Sequence, residues 1–154
     1  MLLLDIQIRD KRFFLKCLRL RAFCRKAIEA AWFQKTACEV SLVLADDSFI
    51  QELNNQYRGK DMPTNVLSFE SGAPKIKGQP WPAGDIIIAY ETVAREAKAQ
   101  NKTFCAHFAH LLIHGALHLQ GYDHITEKQA KKMESLETEL MESLGYIDPY
   151  KDVL

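Results

Sequence analysis

The chain lacks any excess of charge of one sign, because its 20 lysines and arginines balance its 20 aspartates and glutamates. No overall field therefore draws the protein to nucleic acid or to a membrane, and a polyanionic partner has to be met by a local patch. An apolar run of about eighteen residues is also missing, so a transmembrane helix is not expected. The opening MLLLDIQIRD is too short and too interrupted for a signal peptide. We therefore expect a cytoplasmic protein with no membrane partner.

Paired-cysteine motifs are absent as well. The sequence contains no CxxC pair, nothing in it indicates secretion, and its four cysteines are Cys17, Cys24, Cys38 and Cys105. Reduced, buried thiols are the better interpretation. At 154 residues and 47% hydrophobic composition, the chain can build a core without disulfides. We expect a single domain over residues 1–154.

The spacing of apolar residues predicts strands interleaved with helices. Strands are expected at 2–8, 39–45, 65–70 and 85–90. Helices are expected from Asp10 to about Phe33, from Asp46 or Asp47 to Tyr57, at 91–100, at 103–120, and from a Thr126/Gln129 capping box to near Gly145. Segment 71–84 holds three of the seven glycines and three of the five prolines, which predicts a loop. The pattern indicates an α/β fold of the α+β type, with a small mixed β-sheet of about four strands covered by about five helices.

All five histidines lie between residues 107 and 124, in HFAHLLIHGALHLQGYDH. His114 and His118 are four residues apart on a predicted helix, so their rings project from one face about one turn apart. Gly121 can take the left-handed backbone that ends the helix, which allows His124 to approach the same point. Three neutral imidazoles with a vacant fourth position are typical of catalytic zinc. We predict one zinc ion bound by His114, His118 and His124, with another divalent metal as the alternative.

The spacing HxxxHxxGxxH matches the zinc-binding helix of the metzincin proteases except that Gly115 replaces the glutamate that acts as general base. A peptide bond needs a proton delivered to its leaving amine, so Gly115 argues against proteolysis. A glycine inside a helix also indicates a close approach by substrate or a strand, or tight packing. A substitute base could be Asp85 or Asp123. Asp123 could instead orient a histidine ligand, and Asp85 could be only a turn residue.

The remaining histidines and the basic N-terminal segment have alternative interpretations. His110 is expected either to hydrogen-bond near the substrate or to a ligand ring, or to be a plain buried histidine. His107 is expected to be a solvated helix residue. The first helix is rich in cations, which either follow an RNA backbone or form a solvated face; they are Lys11, Arg12, Lys16, Arg19, Arg21, Arg25 and Lys26.

Three motifs together resemble the YbeY family of bacterial metal-dependent endoribonucleases, which act in ribosomal RNA maturation. They are HGALHLQGYDH, YRGKDMPTNVLSF at 57–69 and GDIII at 84–88, and the similarity continues to the closing LETELMESLGYIDPY. The resemblance implies zinc on the three histidines, single-stranded RNA as substrate, and a functionally important arginine at Arg58. It also implies a place in small-subunit ribosomal RNA 3′ end maturation and in ribosome quality control. Asn65 stands where aspartate is also usual in the family.

The candidate catalytic residues are therefore Arg58, His114, Asp85 and Asp123. The planar fork of Arg58 can bind phosphate at two points, although a cation in the last helical turn could simply complement the helix dipole. The expected partners are a ribosomal RNA precursor and the ribosome, and DNA is not expected. Two other functions stay open, namely a zincin-like metalloprotease and a non-catalytic RNA- or ribosome-binding protein with a structural metal.

Overall fold

The computed structural model describes residues 1–150, which form one four-stranded sheet and the helices packed on it. The strands are β1 (Leu2–Ile8), β2 (Cys38–Ala45), β3 (Val66–Glu70) and β4 (Trp81–Ala89). The helices are α1 (Phe13–Lys16), α2 (Leu20–Ala30), α3 (Asp47–Arg58), α4 (Tyr90–Ala99), α5 (Phe104–Leu119) and α6 (Glu127–Ser143). None of the helices within residues 1–150 is both long enough and apolar enough to cross a membrane.

The sheet has the order β1-β2-β4-β3, with β2 parallel to β1 and β4, and β3 antiparallel to β4. This confirms the predicted α/β fold with a small mixed sheet, and the described residues contain six helices instead of about five. β4 is an inner strand that is buried on both faces. Ile86 and Ile88 belong to the main core, which also contains α5, whereas Ile87 packs with Ile50 of α3 on the opposite face.

Helix α5 is the central element of the main core. Most of its residues are buried, including Phe108, Leu112 and Leu117, and it packs against β3, β4, α2, α4 and α6. A helix that is apolar on nearly all sides is stable only when other elements surround it. The polar groups that α5 carries are therefore held in place by packing on several sides.

The prediction of one long helix from Asp10 to Phe33 was wrong. Arg19 takes a left-handed backbone conformation with φ 52°, and it separates the single turn of α1 from α2. Phe13 of α1 packs edge-on against Tyr90 and Phe104, while α2 turns its buried face, which includes Ile28, toward the core. The break allows both short segments to bury their apolar side chains. A straight helix would have a single apolar face.

The predicted loop at 71–84 is shorter than expected, because β4 begins at Trp81 and not at Asp85. Pro82 lies inside this strand although proline has no N–H to donate to a ladder. It lies beyond the end of the β3 partner strand, whose last paired residue is Glu70 opposite Gly84. β4 therefore tolerates Pro82 because the neighbouring strand β3 has already ended at this point. Trp81 anchors the segment, since its Nε1 donates to the Ala73 carbonyl.

Gly84 is required where β3 and β4 come together. Its φ is +145°, and a Cβ at this position would lie 2.0 Å from the Phe69 carbonyl oxygen. Gly78, in the preceding loop, also has a positive φ of +83°, but a Cβ added there would meet nothing within 4 Å. A comparison of the two positions therefore distinguishes the cost of the backbone conformation from the cost of steric overlap.

We expect Gly84→Ala to lower the free energy of unfolding by about 3 to 5 kcal/mol, because it adds overlap with a backbone carbonyl to the cost of a left-handed conformation. Gly78→Ala is the matched control and should cost about 1 kcal/mol, from the backbone conformation alone. Urea denaturation followed by circular dichroism measures both. Equal losses in the two variants would contradict the close approach of β3 to β4.

Candidate metal centre

The histidine cluster is built by the C-terminal half of α5 and the turn that follows it. Thr103 caps the start of the helix by accepting from the Ala106 N–H, and Gly121 ends the turn with φ +95°. The chain then brings the His124 ring to 5.7 Å from His114 and 5.2 Å from His118, centroid to centroid. The helix-ending glycine therefore has the role that the sequence predicted.

The donor atoms of the three histidines fit one metal ion. One ring nitrogen from each of His114, His118 and His124 lies within 4.8 Å of the others. The two Nε2 atoms of His114 and His118 are 3.0 Å apart. Neighbouring nitrogens around a tetrahedral zinc ion, at ordinary Zn–N lengths, are separated by about 3.3 Å. The structure thus brings the three predicted ligands within reach of a single metal ion.

The electrostatic environment favours the neutral, metal-binding form of the central histidine. Burial, followed by the nearby His114 and His124 rings, lowers the pKa of His118 to about 4. A neutral imidazole at pH 7 offers a lone pair to a metal without first losing a proton. His124 has 58% of its side chain exposed, so the cluster opens to solvent on that side.

Glu137 is a member of this site that the sequence patterns did not reveal. Its side chain on α6 is completely buried, with 0% exposure. It accepts hydrogen bonds from His114 Nδ1 at 2.5 Å and His110 Nε2 at 2.8 Å, and the Tyr150 hydroxyl also donates to it. Burial alone would raise the pKa of Glu137, but the two histidine hydrogen bonds outweigh it and hold the pKa at about 2. The carboxylate is therefore ionised and fully partnered.

The Glu137 carboxylate fixes the orientation of His114, one of the three predicted metal ligands. Because Nδ1 of His114 donates to Glu137, its Nε2 keeps a lone pair and points toward His118. Such a carboxylate behind a ligand histidine sets the ring orientation and makes the imidazole a stronger ligand. The sequence did contain a signal. Glu137 lies between Met133 and Met141 at spacings of four, so it is an acid within the buried stripe of α6.

The other two histidines of α5 are buried. His110 shares the Glu137 carboxylate with His114, and its Nε2 points to that carboxylate and away from the metal ligands' donor atoms. His107 was expected to be solvated, which was wrong, because only 4% of the residue is exposed. It lies where α4 packs against α5, and its Nε2 is 2.9 Å from the Glu96 carboxylate. The charged neighbour on another helix explains why a polar residue is buried here.

A cleft of about 930 Å³ runs from the histidines along β3 to the end of α3. Arg58, the last residue of α3, lines this cleft together with all three histidines and Asp123. Its Nη2 donates to the Ser68 carbonyl, and the guanidinium carbon lies 5.4 Å from the centre of the Phe69 ring. These contacts hold a cation at the rim of the histidine site. Gly59, with φ +68°, ends α3 directly after the arginine.

The two candidate bases differ in position. Asp123 lies in the cleft, where its Oδ1 accepts from the His124 backbone N–H and is 3.9 Å from His124 Nδ1. Asp85 is on β4, paired with Phe69 on one side and Ser41 on the other, and it is not among the residues that line the cleft. The structure therefore brings Asp123 to the histidines but does not bring Asp85 to them.

The sheet is the element that approaches α5 closely at Gly115. A Cβ on Gly115 would lie 2.9 Å from Ile86 Cγ2 and 3.2 Å from Ser68 Oγ. Ile86 is fully buried and cannot withdraw easily. Any larger side chain, including the glutamate of the metzincin signature, would push α5 away from β4.

Three cations of the basic N-terminal segment are held by neighbouring groups. Arg12 pairs with Asp10 and Glu91, Arg25 pairs with Glu29, and Arg21 donates to the Ile6 carbonyl. α2 packs against β1, which lies at the opposite edge of the sheet from β3 and the cleft. This arrangement favours the solvated-face interpretation.

A mixed α/β sheet that presents a three-histidine cluster at an open cleft has the arrangement of a metal-dependent hydrolase. The family model for Endoribonuclease YbeY matches residues 5–145. Endoribonuclease YbeY of Paramagnetospirillum magneticum is 49% identical over 139 residues, covering 88% of this chain and 83% of that protein. The chain therefore belongs to the endoribonuclease YbeY family, as the sequence motifs indicated.

The fold agrees with a solved relative. The solution structure of TM1509 from Thermotoga maritima covers 98% of this chain, and the alignment spans 99% of that chain. The TM-score is 0.52 and the sequence identity is 25%. The arrangement of the sheet and helices is thus shared over nearly the whole length of both chains.

We expect Glu137→Gln to weaken zinc binding about 10- to 100-fold, because the amide keeps the shape of the carboxylate but cannot accept from both histidines. Glu139→Gln is the matched control, since Glu139 is an exposed residue two positions further along α6. Competition with a chromophoric chelator measures the affinities. Circular dichroism of both variants without zinc checks that each is folded. Equal zinc affinity of Glu137→Gln and the control would rule out the orienting role.

Proposed function

We propose that this chain is a single-domain, cytoplasmic, zinc-dependent endoribonuclease that cuts single-stranded RNA. We propose further that it acts on the 3′ end of the small-subunit ribosomal RNA precursor and in ribosome quality control, with the ribosome as partner. Membership of the endoribonuclease YbeY family supports RNA hydrolysis in ribosomal RNA processing. The observation that carries the zinc-dependent chemistry is the placement of Arg58 in one cleft with His114, His118 and His124.

The residues of the cleft have different roles in the cleavage of a phosphodiester. His114, His118 and His124 would hold a zinc ion, which would supply Lewis acidity and, by lowering the pKa of water, a nucleophile at neutral pH. Arg58 offers guanidinium N–H groups to the phosphate oxygens, where negative charge gathers during cleavage. Its contacts with Ser68 and Phe69 hold the guanidinium beside β3. Asp123 is the remaining candidate for accepting a proton, since it is the acid of the pair that lies in the cleft.

The cleft follows the free edge of the sheet, which supports a single-stranded substrate. Asn65 O accepts from Ala89 N, and Ser71 N donates to Ala83 O, so the odd-numbered residues of β3 pair with β4. In an antiparallel pair the alternate residues point their N–H and C=O groups the other way. The Ser68 N–H therefore points into the cleft. Such groups can hydrogen-bond the edges of bases, which are accessible in unpaired RNA.

We expect Arg58→Glu to lower kcat/KM for RNA cleavage by about 10²- to 10³-fold while zinc content stays the same, because it removes a donor to the developing charge. Lys35→Glu is the control for charge reversal, since Lys35 is exposed and lines neither the cleft nor a neighbouring cavity. Steady-state cleavage of a labelled single-stranded RNA and elemental analysis measure the two effects. A similar loss in both variants would mean that Arg58 acts only through net charge.

We expect His118→Ala to lose both zinc and RNA cleavage, since it removes one of three ligands. The variant should remain folded, because His118 is only part-buried and its neighbours Leu117 and Leu119 keep their core packing. Cleavage by rigorously purified His118→Ala at the wild-type rate would reject the proposed function.

Removal of zinc separates catalysis from a purely structural metal. The core around α5 is filled by apolar side chains such as Phe108 and Leu112, and the hydrogen bond between Glu137 and His110 involves none of the three predicted metal ligands. We therefore expect the chelated protein to be folded and inactive, and to regain cleavage when zinc is added back. Thermal unfolding with and without chelator checks this. Unfolding of the protein on chelation would instead favour the non-catalytic RNA-binding alternative.

A further inference from the structure

A second cavity, of about 730 Å³, adjoins the cleft at His114. The two spaces share Asn65, Val66 and His114 as lining residues. A flexible chain that crosses the metal centre can therefore continue from the cleft into this cavity. No part of the chemistry described above uses it.

The cavity is polar and carries little net charge. Its walls include the Glu96 carboxylate, the Lys102 ammonium and the side-chain amide of Asn101. The rings of His107 and His110 also line it. Burial lowers the pKa of His107 below its ordinary value, so this ring is neutral at pH 7. One ammonium, one carboxylate, an amide and two imidazole rings suit a ligand that carries several hydrogen-bonding groups and a separate anionic group.

Two ring nitrogens beside the cavity lack partners. His107 donates from Nε2 to the Glu96 carboxylate and His110 donates from Nε2 to the Glu137 carboxylate, whereas within residues 1–150 neither Nδ1 has a hydrogen-bond partner. Both Nδ1 atoms are fully buried, so a ligand in the cavity lies against the rings and does not hydrogen-bond to these two nitrogens. The His107 residue is more than nine-tenths buried.

The volume of the second cavity and the groups in its walls indicate the class of ligand. A volume of about 730 Å³ is within the range of pockets that hold one drug-sized or nucleotide-sized molecule. A nucleobase presents both donors and acceptors at its edge and a flat face that can stack on imidazole. Lys102 is half-buried, so its attraction for a phosphate is screened less than at an open surface.

We propose that this cavity binds the nucleotide next to the one at the metal centre, with the base against His107 and His110 and a phosphate at Lys102. This inference rests on the proposed function, since it assigns a subsite for the same RNA strand. The cavity thus gives the enzyme a contact on the far side of the bond that is cut. Binding in it holds the strand across the three histidines.

The first test fills the cavity without removing a contact. Ala99 is an exposed residue in the last turn of α4 and lines the cavity, so Ala99→Trp blocks it and Ala99→Ser leaves it open. With a labelled single-stranded octaribonucleotide, we expect Ala99→Trp to lower kcat/KM about tenfold or more, as for the loss of one bound base. Ala99→Ser should match the wild type, and all three proteins should bind zinc equally.

The second test removes the cation. Lys102→Met should raise KM about fivefold with little change in kcat, because it weakens binding and leaves the metal centre intact. Lys98→Met is the matched control, since Lys98 is exposed on α4 and lines neither space. Thermal unfolding of both variants measures any loss from the Lys102 hydrogen bond to the Pro149 carbonyl.

The outcomes of the two tests separate the subsite from the proposed function. If the wild type does not cleave the octaribonucleotide, the proposed function fails. If the wild type cleaves it and Ala99→Trp and Lys102→Met cleave it with unchanged KM and kcat, the subsite is overturned while the proposed function stands. A loss in Ala99→Trp and Lys102→Met, with Ala99→Ser and Lys98→Met unaffected, supports the subsite.

Discussion

The ionised carboxylate of Glu137, buried between α5 and α6, is the interaction on which the metal centre depends. Taking such a charge out of water costs several kcal/mol unless hydrogen bonds replace the lost hydration. His110, His114 and Tyr150 provide those bonds, and in return each of these groups is held in one orientation. The same contacts tie α6 to α5. The geometry of the ligands and the packing of the last helix are therefore parts of one arrangement.

The position of α5 over the sheet is the second constraint. Gly115 leaves no room for a Cβ between α5 and β4, so the helix lies close to Ile86 and Ser68. This approach brings the histidine face of α5 next to β3, the free edge strand, and next to Arg58 beyond it. The absence of a glutamate at 115 is thus a packing requirement as well as a chemical difference from the metzincin signature. Gly115 therefore accounts for both the close packing of α5 on the sheet and the absence of the metzincin glutamate.

Local patterns predicted most of the fold and the three histidines that come together, and contacts between distant elements account for the errors. The histidine spacing, Gly121 and the Thr126/Gln129 capping box depend on neighbours in sequence, and the structure places them as expected. Glu137 and the burial of His107 depend on helices that come together only in the fold. The break at Arg19 has the same origin, because the aromatic residues that Phe13 packs against are far along the chain.

The order of residues along the chain gives the Glu137 contact a consequence for protein synthesis. All three ligand histidines precede Glu137, which follows His124 by a stretch that includes the first turns of α6. The carboxylate that orients His114 is therefore added to the chain only after the sheet, α5 and all three histidines have been synthesised.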